Sequence, residues 1–335
     1  MHAPIALSAR IAAELRQPLA LPPALPPNGS APPRRGDRHY EGSRYDIDHI
    51  GDRGIGAGVN FYSLEREQAL GRELSRDVEA QARLISDPVV NEYINRMAQN
   101  LVRNSDAKVP FTVKVIDDDE VNAFALPGGF FYVNSGLILT ADNEAQLAGV
   151  MAHEIAHVAA RHATRNATRM QIFNAASIPL ILFGGPAGYA LSQMASLAVP
   201  MSFLKFSRDA EREADLLGLE YAYVAGYDPA EFVHFFESLR TKQKEKVSFV
   251  ARAFANHPMT EDRIARAQKA IMALLPARDE YVVSTSEFQE VKARLASLES
   301  AQRINAGRSD SPVLRRRTSS GNSGPDEDGP VLRKP

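Results

Sequence analysis

Apolar residues recur at near-helical spacing along most of the interior of this chain, and the places where that spacing fails mark changes of structure. Leu64, Leu70, Leu74, Val78 and Ala82 form one stripe, which predicts a helix over 63–85. Pro88, a favourable first-turn residue, opens a second helix expected to reach about Arg103. Then the period shifts. Residues 111–116 and 129–133 are β-branched and aromatic, with Asp117, Asp118, Asp119 and Glu120 and the turn Pro127-Gly128-Gly129 between them, so a small sheet is expected between helical blocks. Residues 141–167 read as one long helix with Asp142, Asn143 and Glu144 in its first turn, where negative charge suits the helix dipole. Further helices are expected over 207–225, ended by Gly226, after Asp228-Pro229, and over 260–275 and 285–302. The apolar run 178–200 is long enough to span a membrane, but Gly184, Gly185, Pro186 and Gly188 near its middle favour two short buried helices or a hairpin. No internal repeat is visible.

Both ends depart from this pattern. Eight of the 21 prolines fall within the first 33 residues, and a polar run follows to about Gly58. Such a segment buries too little apolar surface to offset its ordering entropy, so residues 1–58 are expected to form a mostly flexible leader. Arg10, Glu14 and Arg16 interrupt every apolar stretch that could serve as a secretory signal. From 307 the chain turns to Ser, Gly, Pro and charge without periodicity, and the triplet Arg315-Arg316-Arg317 reads as part of a solvated tail. The expected organisation is a disordered leader over 1–58, a mainly helical α+β domain over 59–276, a helical extension over 277–306 and a disordered tail over 307–335.

Composition narrows the chemistry. Lys and Arg total 39 against 41 Asp and Glu, a net charge of −2, which gives no electrostatic case for nucleic acid. There is no Cys, which excludes disulfides, thiolate nucleophiles and Cys-held zinc or iron–sulfur clusters. Any metal must be held by His, Asp and Glu.

Within the helix expected over 141–167 stands His153-Glu154-Ile155-Ala156-His157. Residues four apart on a helix lie roughly 40° apart on its wheel, so both imidazoles can converge on one ion. Glu154, at the edge of that face, can reach a water at the metal without being a ligand. Two neutral nitrogens and an adjacent general base are what metal-assisted hydrolysis requires. The flanking Ala152, Ile155, Ala156, Val158, Ala159 and Ala160 make the helix apolar almost all round, and a buried histidine pair is costly unless something satisfies it. The longer pattern HExxHxxGxxH fails, because Ala160 and Ala163 stand where its Gly and third His belong, and His162 reads as a supporting polar group. A third ligand must come from elsewhere. Glu211 and Asp215 share one face at i and i+4, so one can bind metal while the other orients a ligating imidazole, with Glu213 pointing away.

These residues carry a family resemblance. His153-Glu154-Ile155-Ala156-His157 with Arg161-His162, Glu211-Arg212-Glu213-Ala214-Asp215 after Ser207-Arg208, the stretch from Asn122 through Gly129 to Leu137, and Asn256-His257-Pro258 with Arg263 resemble the zinc metallopeptidase family of the CAAX prenyl proteases, the heat-shock protease HtpX and the mitochondrial peptidase Oma. The resemblance covers about residues 65–275 and is nearest to the family's soluble bacterial members, although no helical repeat is seen after residue 276. It implies a zincin-like metallopeptidase domain and one zinc per chain, held by His153, His157 and Glu211 with Asp215 in support. It further implies that Glu154 is the general base and that His257 and Arg263 stabilise the oxyanion, His257 alternatively covering the zinc. Asn122, Ala123 and Phe124 would pair with an extended substrate by strand addition.

The expected function is therefore zinc-dependent endoproteolysis of extended or misfolded polypeptides, in protein quality control at the cell envelope or periplasm by resemblance, with the cytoplasm as the alternative. The other reading is a chaperone or assembly factor with a structural or latent zinc site. Residues 178–200 are a candidate for peripheral membrane or envelope-protein association.

Overall fold

The computed structural model describes residues 45–183, 206–245, 257 and 260–309. Helix α1, Leu64–Gln81, starts where Ser63 accepts from the Arg66 amide, and α2, Pro88–Arg103, where Asp87 accepts from the Val89 and Val90 amides. Three strands follow: β1, Thr112–Ile116, β2, Ala123–Leu126, and β3, Phe130–Asn134. Then come α3, Ser135–Thr140, α4, Glu144–Ala159, and α5, His162–Phe183. The last helices are α6, Arg208–Val224, α7, Ala230–Glu245, α8, Glu261–Leu274, and α9, Ser286–Ser309. The class is α+β, mainly helical, as the hydrophobic periodicity implies.

The sheet has the order β1-β3-β2, with β1 parallel and β2 antiparallel to β3. Leu84 bridges to Ile116 on the far side of β1, which leaves β2 as an outer strand. The turn from β2 to β3 needs Gly128 at φ 76°, a backbone conformation that side chains other than glycine's resist. Helix α4 is the centre of the molecule: every residue of it except Val158 is buried, and α2, α6, α7 and β2 pack around it. Its closest neighbour is α6. A Cβ on Gly218 would lie 3.0 Å from both the N and the Cα of His153, so the missing side chain lets the two helices approach at the level of the histidine.

The structure revises three expectations. The helix read over 141–167 is two helices, because Arg161 turns left-handed at φ 57°. A non-glycine residue there costs about 1 kcal/mol or more, and long-range contacts hold it: Arg161 Nε donates to Glu67 Oε1 at 2.8 Å. The first helix ends at Gln81 instead of 85, and Ile85 donates to the Val115 carbonyl beside the sheet. The leader expected to reach 58 is folded from Tyr45. Arg53 is buried between Asp106 and Glu220, at 2.6 Å from each, and Gly51 donates to Asp106 at 2.7 Å. Within 277–306, expected as a helical extension, Phe288, Val291 and Leu295 are buried in the core, and Tyr93 meets Phe288 with ring centres 6.2 Å apart. Of the apolar run 178–200, residues 184–200 lie outside the described residues. Among the described residues no helix is long and apolar enough to cross a membrane.

Candidate metal centre

Four buried side chains from three parts of the chain converge above α4. His153 and His157 present their Nε2 atoms 3.0 Å apart, Glu211 on α6 brings its carboxylate within 3.6 Å of the first and 3.7 Å of the second, and His257 Nδ1 lies 2.8 Å from Glu211 Oε1. One ligand atom from each can be chosen so that all four lie within 4.8 Å of one another. None of the four residues is more than 5% exposed. Two imidazole nitrogens facing each other at 3.0 Å, with a carboxylate oxygen beside each, suit a cation held between them better than a shared proton.

Charge balance says the same. Glu154, Glu211 and Asp215 are buried within a few ångströms, and among the described residues Arg263 is the guanidinium that meets them. Burial pushes Glu154 above the usual carboxylate range, and its Oε1 has no hydrogen-bond partner among the described residues. Burial opposes the charge on Glu211 too, yet its bonds to His153 and His257 hold it well below that range. His153 is pushed up to about 9 against its desolvation by Asp215 and Glu211, whereas burial and the neighbouring cations keep His157 far below the usual imidazole range. Two imidazole nitrogens, a third imidazole and a carboxylate gathered within 4.8 Å of one another supply the donor set for a divalent ion. The residues present fit a zinc ion.

The surrounding shell is as specific as the ligand set. Asp215 Oδ1 lies 3.2 Å from His153 Nδ1, and Arg263 forks onto the same carboxylate at 2.8 and 2.6 Å. Arg263 also places Nη1 3.0 Å from Glu211 Oε2 and donates to the His257 carbonyl at 3.3 Å. The guanidinium of Arg263, expected to stabilise an oxyanion, is buried and engaged in holding two carboxylates and the backbone of His257. Phe206 stacks over His157 with ring centres 4.2 Å apart, and Phe232 lies 6.0 Å from His153 in parallel fashion. His162 sits behind His157, Nδ1 to Nδ1 at 2.9 Å. Glu213, expected to point away, does leave the histidine pair but reaches His162 Nε2 at 3.2 Å.

Of Asn122, Ala123 and Phe124, expected to pair with substrate, the outer strand turns the backbone of Ala123 outward. Asn134 donates to the Asn122 carbonyl at 3.0 Å, and in the antiparallel ladder Phe124 pairs with Tyr132, so the backbones of Asn122 and Phe124 turn inward to β3. Ala123 and Ala125 turn outward, and the Ala125 amide faces the Glu154 carboxylate. Strand parity could have selected 123 and 125 from the motif; nothing in the sequence marks Phe206, Phe232 or the partnership of Glu213.

A helix carrying HExxH, a distal glutamate from a second helix and an outer strand beside Glu154 are the arrangement of a metallopeptidase family. Comparison with known proteins agrees. Residues 85–271 match the model of Peptidase family M48, and the chain belongs to that family. It is 32% identical over 269 residues to the beta-barrel assembly-enhancing protease of Escherichia coli (strain K12), an alignment covering 78% of this chain and 53% of that protein. It is also 28% identical over 216 residues to the mitochondrial metalloendopeptidase OMA1 of Schizosaccharomyces pombe, covering 63% of this chain and 62% of the relative. To the metalloprotease LoiP of E. coli it is 29% identical over 208 residues, covering 60% and 80%. The chain spans about half the length of the beta-barrel assembly-enhancing proteases it matches.

Proposed function

We propose that this protein is a zinc endopeptidase of extended or misfolded polypeptides, acting in protein quality control at the cell envelope. The observation that carries the reading is the convergence of His153, His157 and Glu211 beside Glu154, with the amide of Ala125 reaching the same carboxylate. His153 and His157 would hold zinc through Nε2 and Glu211 through a carboxylate oxygen. When bound, the zinc supplies Lewis acidity toward the scissile carbonyl and the attacking water. Glu154, kept basic by burial, accepts the proton of that water and returns it to the leaving amine. The outward backbone of Ala123 and Ala125 pairs with an extended substrate, which selects for unfolded chain more than for side chains.

His257 occupies the remaining side of the ligand set, which favours its reading as a cover over the zinc above that of an oxyanion donor. Its Nε2 lies 3.9 Å from Glu154 Oε1, so it fills space the substrate needs. The envelope as compartment is supported by the relatives' role in β-barrel assembly as their names state it; fractionation of cells with sequencing of the mature N-terminus tests it.

Glu154→Gln should lower hydrolysis of unfolded casein by roughly 10²–10⁴-fold or more while zinc stays near one per chain. Persisting hydrolysis would sink the mechanism. His153→Ala and Glu211→Ala should each lose the zinc, read by metal analysis of the dialysed protein; retention in either variant means that the ligands are misassigned.

A further inference from the structure

Each of the two imidazoles on α4 is backed by a carboxylate from α6, but by different routes. Asp215 stands directly behind His153 Nδ1. Behind His157 Nδ1 stands a second imidazole, His162, and only behind that a carboxylate, Glu213. Two ring nitrogens 2.9 Å apart cannot both carry protons and cannot both lack them, so one donates and the other accepts. The direction is decided by the far sides of the rings. His157 Nε2 faces His153 and Glu211 and must be bare to bind a metal, which puts the single proton of neutral His157 on Nδ1. His162 then accepts on Nδ1 and carries its own proton on Nε2, where Glu213 Oε2 receives it at 3.2 Å. Arg165 Nη1, 3.6 Å from the same oxygen, favours the ionised carboxylate at the end of the chain. His162 is 4% exposed, and Phe206 stacks on His157 and lies tilted against His162, its ring centre 5.8 Å away.

We propose that Glu213 and His162 form a positioning chain that fixes the proton of His157 on Nδ1, orients its ring and so presents Nε2 to the metal. The chain exists only because α4 stops at Ala159. The left-handed Arg161 reverses the backbone, and His162, five residues after His157, comes back onto it. In an uninterrupted helix that spacing would put His162 roughly 140° round the wheel from His157. This proposal rests on the reading of His157 as a zinc ligand. It makes His162 and Glu213 necessary to metal affinity without contact to metal or substrate.

The test is zinc affinity of the full chain by chelator competition, together with the visible spectrum of the cobalt-substituted protein. His162→Ala should weaken zinc binding roughly 10–100-fold and alter the cobalt spectrum. His162→Gln, whose Oε1 can accept from His157 and whose Nε2 can donate to Glu213, should recover most of that loss, whereas His162→Leu should not. Glu213→Ala should weaken binding less than His162→Ala and add nothing in the His162→Ala background. Affinities within about two-fold of wild type in both His162→Ala and Glu213→Ala, or Gln performing no better than Leu, would overturn the proposal. If His162→Ala melts below the assay temperature, Glu213→Ala and the Gln–Leu comparison decide instead. Retention of zinc by His157→Ala would overturn the ligand reading itself, a failure separate from that of the positioning chain.

Discussion

Asp215 is in contact with two residues whose positions decide the site: His153, which it backs, and Arg263, which forks onto it. Asp215→Asn keeps the shape and an acceptor but removes the charge that holds the imidazole and the guanidinium together. Zinc affinity should fall roughly 10–100-fold, measured by chelator competition. Folding stability should fall as well, because Arg263 keeps only the Glu211 carboxylate at 3.0 Å, by less than the roughly 3–5 kcal/mol of a fully unpaired buried charge. An unchanged affinity would show that His153 needs no support from Asp215. At this scale the sequence was informative where spacing alone brings groups together. The i, i+4 repeats of His153 with His157 and of Glu211 with Asp215 put each pair on one helix face. It was silent where a partner comes from a distant element. Arg263, expected as an oxyanion donor, is engaged with Asp215, and Glu213, expected to point away, meets His162 outside the histidine pair. Chain separation alone does not reveal such contacts.

Among elements, α1 decides where the outer strand sits. It lies so close to the turn after β2 that a Cβ on Gly71 would stand 1.8 Å from the Pro127 carbonyl oxygen, and one on Gly128 would stand 2.5 Å from the Cα of Gln68. Gly71→Ala should therefore destabilise the protein by about 1–3 kcal/mol, although alanine is the better helix former by up to about 1 kcal/mol. Urea denaturation checks the sign: a gain in stability would mean that α1 does not press on this turn. The helices themselves were legible, with α2 and α8 bounded by residues that cap helices in any context, Asp87 and Thr260. The end of α4 was not. Ala159, Ala160 and Arg161 are unremarkable helix residues, and the chain turns there because Glu67 holds Arg161 in its left-handed conformation.

In the whole molecule, the segment before α1 is tied down by a buried charge cluster away from the metal centre. Arg53 bridges Asp106 and Glu220, and Tyr221 donates to Asp106 at 2.8 Å. One guanidinium serves two carboxylates, Glu220 Oε1 has no hydrogen-bond partner among the described residues, and burial pushes the Glu220 carboxyl up to about 7 despite Arg53. A folded-state value above the unfolded one means that the native protein holds this proton more tightly. The stability it contributes is complete below about pH 4.5 and is lost as pH rises through 7, at up to about 1.4 kcal/mol per pH unit. Glu220→Gln should remove that dependence, so the loss of stability between pH 5 and pH 7.5 in urea melts should be smaller in the variant than in wild type. An equal loss in both would place the titration elsewhere.

What the sequence determined by itself was local: helical and strand periods, caps, the absence of cysteine, and two pairs of side chains, His153 with His157 and Glu211 with Asp215, at helical spacing. These follow from geometry within one or two turns of backbone, which composition and spacing encode directly. The tertiary structure alone decided which carboxylate faces the histidines and which stands behind them. It also decided that His162 returns to His157, that Ala125 rather than its neighbours reaches Glu154, and that the polar stretch from Tyr45 is folded. Each of these depends on contacts between residues far apart in the chain. Their energy comes from burial, a property of the assembled core and not of any segment within it.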